Sequence, residues 1–542
     1  MLIMLPPNYQ TITLCSTSQP ADTAQLAHPH QQHLTPPCYH ADSHRKSAPQ
    51  HNIGPPHDPA CHDEEVAKKL RDKPHLESSK LTSVDRETKH WLNWKEVRTQ
   101  CKLAGPLILS NLLTSLLQMI SATFVGHTSS IELSGASLTY SFCTVTGYSV
   151  LMGMSGALET LCGQAFGAGE YGKVGLYLHR SIFVLNAVAV PVAISWLYIE
   201  QIYLAFGQDA QLASKAGAYG IFLIPTLFAV SFSYPLVKFL QAQSLVVPVL
   251  ACFVTTLICH VPICWVLVFR SSLGYKGAAL ANSISSWLNT LLLSLYVGFS
   301  PTCALSRVPI SRETLQDVTG LLKVAVPAAS MLCLEWWSYE VLVVISGFLS
   351  NPKLQAGIVA ICVNSETLLY AIPGGMAAAV STRVSNELGA GNHEAAHGAA
   401  RVARVLALME AGIVITFLFL ARKVWGQIYS NDKVVIDAVA SFVPYFATSS
   451  ALDALQSVLS GIVRGAGRMR IGAYINLASF YVVGLPIGCL LAFIAGREEK
   501  GLWLGLIAGI TIQFSSYLTC IHTMDWRQEA KEAAARVGGP AV

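Results

Sequence analysis

Val246 to Phe269 reads V-V-P-V-L-A-C-F-V-T-T-L-I-C-H-V-P-I-C-W-V-L-V-F, with no Asp, Glu, Lys or Arg anywhere in it. At about 1.5 Å of rise per helical residue, a stretch this long crosses a hydrocarbon core of about 30 Å. Eleven more stretches of this kind lie on either side, near 104–125, 138–162, 175–199, 213–236, 277–299, 323–348, 356–380, 401–420, 438–461, 471–495 and 502–523, joined by short polar links. The chain is 52% hydrophobic and only 13% charged, against about 25% charged for soluble domains. These features predict an all-α integral membrane protein of about 12 transmembrane helices.

The first ninety residues differ. They hold ten of the sixteen histidines in a Pro-rich polar mixture whose only apolar run is the opening M-L-I-M-L. So little apolar surface cannot offset the entropy of ordering, and 1–90 is expected to be a disordered cytoplasmic tail. The opening run is too short for a signal peptide and leads straight into Pro6 and Pro7. The histidines lack regular ligand spacing, and the fourteen cysteines include no C-x-x-C, with most of them single inside apolar stretches. No metal, cofactor or disulfide framework is expected. The net charge of +4 points to no nucleic-acid partner. Lys and Arg are about twice as frequent in one set of alternate links as in the other, which predicts that both termini are cytoplasmic.

A repeat decides the architecture. Gly105-Pro106 returns as Val326-Pro327, Gly167-Ala168-Gly169 as Gly389-Ala390-Gly391, Pro262 as Pro486 and Gly277 as Gly501, all close to 222 residues apart. Six helices separate the copies, so the two halves share one orientation. The expectation is two six-helix bundles related by a pseudo-two-fold axis along the membrane normal, 91–310 and 311–525, followed by a cytoplasmic tail, 526–542. Secondary transporters use this plan to rock one bundle against the other. No G-x-x-x-x-G-K-[ST] occurs and no link is long enough for a nucleotide-binding domain, so an ion gradient is the expected energy source.

Ionisable groups at bilayer depth cost several kcal/mol and are functional candidates. Glu335, Glu366, Glu410 and Asp453 lie near the middles of the seventh to tenth stretches, and shifting them back by about 222 lands on or near Leu113, Thr144, Val188 and Ser231. Acids confined to one half are not a requirement of the repeated fold, so coupling chemistry is expected in the second lobe. Asn364, Thr367 and Tyr370, and Gln456, Ser457 and Ser460, recur at helical spacing as polar stripes. These could line a cavity or glue helices together. Gln118 and Tyr140 are the candidates from the first lobe. Glu159 is expected to brace a gate or loop, and Arg464, Arg468 and Arg470 mainly to set topology. Pro225, Pro235, Pro262, Pro327, Pro373, Pro444 and Pro486 offer bends.

The links are also specific. A-L-E-T-L-C-G-Q-A-F-G-A-G at 157–169, S-T-R-V-S-N-E-L-G-A-G-N at 381–392, C-L-E-W-W-S-Y-E at 333–340 and L-L-Y-A-I-P-G-G at 368–375 resemble the plant branch of the multidrug and toxic compound extrusion (MATE) transporters, over about 91–525. The resemblance implies efflux of organic, often cationic or amphipathic solutes, exchanged for protons or sodium between two lobes in a V. It further implies that Glu335 and Asp453 match the acids of proton coupling and that Asn364 contributes to solute binding; Glu366, Gln456, Gln118 and Tyr140 are expected at the solute from their polar placement in the stretches, apart from the resemblance. Protons are preferred to sodium because the first helix has no Asp. A membrane receptor that binds a ligand without moving it would leave the repeat and the one-sided acids unexplained. The chain is expected to act as a monomer in the vacuolar or plasma membrane.

Overall fold

The structure, a computed structural model, describes residues 93–350, 352–428 and 433–538; the predicted tail at 1–90 lies outside the described residues. Twelve apolar crossings follow one another: α1 Trp94–Gly126, α2 130–167, α3 Tyr171–Leu197, α4 Ala210–Ala242, α5 Val246–Arg270, α6 Lys276–Phe299, α7 Val318–Ser346, α8 352–389, α9 His393–Trp425, α10 Lys433–Ala466, α11 Met469–Ile494 and α12 Glu498–His522. All but α2 and α6 are long and apolar enough to be recognised as spans by length and hydropathy alone. α2 is built from several helical pieces around a π-helical turn at Thr144–Tyr148. Asn93 and Asp209 start α1 and α4 by accepting two backbone N–H bonds each, which satisfies donors that a helix start leaves free. Residues 526–542 were expected only as a tail, yet Trp526–Val537 forms a further helix, α13, capped by Asp525. Its Q-E-A-K-E-A-A-A-R sequence is rich in strong helix formers.

Helices α1–α6 make the first lobe and α7–α12 the second. Each has its own core, one around Leu151, Trp196 and Tyr203 and the other around Phe442, Phe446 and Trp503. Lipid gives little hydrophobic drive for helix association, so close backbone approach matters more. Gly484 and Gly488 of α11 face Gly505 and Gly509 of α12; a Cβ on Gly505 would sit 2.3 Å from the Gly488 Cα. The repeat extends to backbone conformation. Gly169 and Gly391 end α2 and α8 with φ of 77° and 78°, a left-handed geometry that glycine adopts without strain.

The lobes meet along a seam that is tight at the end carrying residue 93 and α13. There α2 and α8 cross reciprocally: a Cβ on Gly167 would lie 1.9 Å from the Asn386 carbonyl oxygen, and one on Gly389 would lie 2.1 Å from that of Gln164. Arg383 of α8 grips Glu96 of α1 with two bonds of 3.0 Å. Gln241 Nε2 donates to the Ala378 carbonyl at 3.0 Å, and Asn386 Nδ2 to that of Ala242 at 3.0 Å. Further along the two helices, Asn111 of α1 and Asn364 and Thr367 of α8 are exposed.

Candidate functional site

The mid-membrane acids of the second lobe converge. Gln456 Nε2, one turn beyond Asp453 on α10, donates both to Asp453 Oδ1 at 2.7 Å and to Glu335 Oε1 of α7 at 3.0 Å. Glu335 Oε2 accepts from Asn476 Nδ2 of α11 at 3.2 Å and from Gln513 Nε2 of α12 at 3.3 Å. Tyr517 closes the cluster by donating to Asn476 Oδ1 at 2.8 Å. Both carboxyls are buried, at 6% and 3% exposure, and among the described residues neither forms an ion pair with Lys or Arg. The cluster draws on four helices, so folding of this lobe sets its geometry.

The other sequence candidates take different places. Glu366 is buried and accepts from Ser450 Oγ at 2.8 Å, in electrostatic contact with Asp453. Gln456, expected at the solute, is wholly buried as the bridge between the two acids. Asn364 of α8 is exposed, apart from that bridge. In the first lobe, Tyr140 of α2 interacts with Gln118 of α1 and packs against Tyr148 with ring centroids 6.2 Å apart. Glu410 is half-buried, and Glu340 ties α7 to α2 by accepting from Ser141 Oγ at 2.8 Å.

Three features escaped the sequence reading. Asn476, Gln513 and Tyr517 carry the Glu335 cluster; the available signal was three polar residues within apolar stretches eleven and twelve. His260 of α5 is completely buried, its two ring nitrogens 3.0 Å from Ser121 Oγ and 2.9 Å from Ser285 Oγ, so the first lobe too has a titratable group at membrane depth. Arg464 does more than set topology. Its Nε donates to Glu159 Oε2 at 3.1 Å, across the seam, while Lys238 of α4 holds the other Glu159 oxygen at 2.5 Å.

Two repeated helical lobes packed tightly together at one end, the second of them enclosing a buried carboxyl pair, define a multi-pass membrane transporter of the secondary class. The chain belongs to the MATE family. The MatE family model matches residues 106–266 and again 327–490, one copy per lobe. Protein DETOXIFICATION 16 of Arabidopsis thaliana is 48% identical over 444 residues, covering 82% of this chain and 91% of that protein. DETOXIFICATION 14 of the same plant is 42% identical over 445 residues, covering 82% and 92%. The crystal structure of the eukaryotic MATE transporter AtDTX14 superposes with a TM-score of 0.80 at 42% identity, over 82% of this chain and 99% of that one. An outward-facing multidrug resistance MATE family transporter shares the fold, with a TM-score of 0.71 at 15% identity over 81% and 96%. The protein is thus a secondary transporter for efflux, in keeping with the extrusion role of its family.

Proposed function

We propose that this transporter expels organic, often cationic or amphipathic solutes, either xenobiotics or secondary metabolites, in exchange for protons. The observation that carries the reading is the bridge Asp453–Gln456–Glu335, two buried acids sharing one amide donor and, among the described residues, ion-paired to no Lys or Arg. Keeping both as carboxylates costs several kcal/mol per charge unless a partner arrives. Two partners relieve that cost, a proton or a cationic solute, and competition between them is exchange. The exposed Asn364 in the second lobe and the Gln118–Tyr140 contact in the first supply polar groups for the solute. With both termini cytoplasmic, the closed end faces the cytoplasm and the cleft faces outward, to the cell exterior or the vacuolar lumen. There protons bind and solute leaves. One chain contains both lobes and the whole pathway, so the working unit is a monomer.

Proteoliposomes carrying a pH gradient provide the test. Solute uptake against an imposed proton gradient, with matching proton efflux, is expected for the native chain and is expected to be lost in both Glu335→Gln and Asp453→Asn. Undiminished exchange in both variants, or exchange driven by a sodium gradient with no pH term, overturns the reading.

A further inference from the structure

The clamp across the seam is unbalanced in charge. Glu159 supplies one negative charge, and Lys238 and Arg464 supply two positive ones, with side-chain exposures of only 4%, 16% and 19%. A surplus positive charge so far from water needs compensation. The groups facing it are few. Lys238 also reaches the Gln241 side-chain oxygen at 3.3 Å; Arg464 reaches Ser460 Oγ at 2.8 Å and acts electrostatically on Tyr370, Tyr517 and Glu335. A compensating charge within electrostatic reach of Arg464 is Glu335 of the carboxyl pair.

Asp453, Gln456, Ser460 and Arg464 follow one another at spacings of three, four and four, so a single face of α10 runs from the pair to the clamp. A second strand of contacts runs beside it: Glu335 to Asn476, Asn476 to Tyr517, Tyr517 beside Ser460, and Ser460 to Arg464. Among the described residues, the other titratable groups around the pair include Glu366, Glu410, Tyr339, Tyr370 and Tyr517, none of them cationic. Among the described residues, Arg464 interacts with both Glu159 of the clamp and Glu335 of the pair.

We propose that Arg464 carries the charge state of the Glu335–Asp453 pair to the seam: a negative pair balances the clamp and keeps the terminus-bearing end closed, whereas a protonated pair leaves Lys238 and Arg464 repelling each other and lets that end open. This rests on the proton-coupling reading above and adds the link between proton and gate. The sign is the one exchange requires, since protons loaded from the open side then promote opening to the other. Arg464 is a positioning residue in this scheme because it touches neither solute nor the transferred proton. Asp453 and Arg464 are eleven residues apart, about 16 Å along the helix axis at 1.5 Å per residue. One unit charge over such a distance, at an effective dielectric of about 20, shifts an equilibrium roughly five- to tenfold.

Hydrogen exchange by mass spectrometry on the full chain in nanodiscs, at one fixed pH, reads the open fraction in segments 157–169 and 381–392. Glu335→Gln, which mimics the protonated acid, is expected to speed exchange there about five- to tenfold. In an Arg464→Gln background, where Glu159 and Lys238 balance each other, the same change is expected to add less than twofold. In Arg464→Lys, which keeps the charge, the full effect returns. Equal effects of Glu335→Gln in the native and Arg464→Gln backgrounds overturn the proposal, because independent sites add. Proton uptake after a pH jump, followed with an indicator dye, separates this from failure of the coupling reading. Uptake that is retained in Arg464→Gln but lost when Glu335→Gln and Asp453→Asn are combined upholds the proton site, so an additive exchange result then counts against Arg464 alone. Uptake unaffected by removing both acids overturns the coupling reading and the proposal with it.

Discussion

Replacing Gly167 by alanine places a methyl group where α2 and α8 touch only in the closed seam. The new Cβ would lie 1.9 Å from the Asn386 carbonyl oxygen and 2.8 Å from its carbonyl carbon, and backbone atoms in a helix cannot swing aside as a side chain can. Gly389→Ala makes the mirror intrusion, 2.1 Å from the Gln164 carbonyl oxygen. The closed end must therefore spread, at the usual cost of overpacking, about 1–3 kcal/mol. A state with that end open carries no such penalty, and the helix-propensity gain of Ala over Gly is common to both states and cancels. The closed-to-open ratio should thus fall by roughly five- to 150-fold, since 1.4 kcal/mol is tenfold. Spin labels at Glu170 and Glu394, in a background freed of native cysteines, report the separation of the lobes at that end by their distance distribution. The long-distance population is expected to rise in Gly167→Ala and Gly389→Ala and to stay unchanged in Gly398→Ala, whose Cβ would meet nothing within 4 Å. Transport should slow because the outward-open state becomes rare. An unaltered distribution in both seam variants would refute the argument that this crossing exists only in the closed state.

Helix α13 lies against both lobes at the closed end, with Arg536 bonded to Gln164 Oε1 at 2.9 Å and to the Ala466 carbonyl at 3.2 Å, and the Val537 carbonyl accepting from Lys173 Nζ at 2.6 Å. Arg536→Ala should weaken closure modestly, with the open population rising several-fold in the same distance measurement, in line with about 1 kcal/mol for a partly exposed charge-assisted bond. Gln456→Leu leaves the two acids without their common donor and should lower stability by about 2–3 kcal/mol, seen as a lower melting temperature in differential scanning fluorimetry of the detergent-solubilised protein. Asn364→Ala should raise the KM for a transported cation with little change in the maximum rate, which initial-rate uptake measurements would resolve.

How far the sequence discloses this molecule depends on the range of each signal. Length and hydropathy act locally, so all twelve crossings are legible, and the structure lengthens most of them, by about a turn at several ends and by two or more at the starts of α1, α2 and α9 and the end of α8. The π-helical turns at Thr144–Tyr148 and Leu477–Gly484 are not legible, because they arise from packing of one helix against its neighbours and leave no composition of their own. The repeat discloses two lobes, and the glycines at 167–169 and 389–391 mark where they cross. That Glu335 and Asp453 share one amide could not be read from spacing, since they stand on different helices and their distance is fixed by the tertiary fold. The same applies to Arg464. By local rules it is a basic residue near a helix end; only the approach of α2 turns it into the partner of Glu159.

The energetics of exchange follow from the number of charges moved. A proton travelling down one pH unit releases about 1.36 kcal/mol, and a potential of 100 mV adds about 2.3 kcal/mol for each net charge that crosses. If the carboxyl pair trades one proton for one monovalent cation, no net charge crosses and the potential drops out. Accumulation should then reach about tenfold per pH unit, whatever the voltage. A neutral amphipathic solute exchanged for one proton carries net charge, and here 100 mV should change accumulation by roughly fifty-fold. Clamping vesicles with valinomycin at several potassium ratios and measuring steady-state accumulation of a monovalent organic cation distinguishes the two cases. A flat dependence on potential, together with a slope of one decade per pH unit, is expected for the two-acid site working with a single proton. A slope of two decades means that Glu335 and Asp453 each deliver a proton in every cycle, and the strongly voltage-dependent accumulation that must accompany it would refute the shared-proton arrangement.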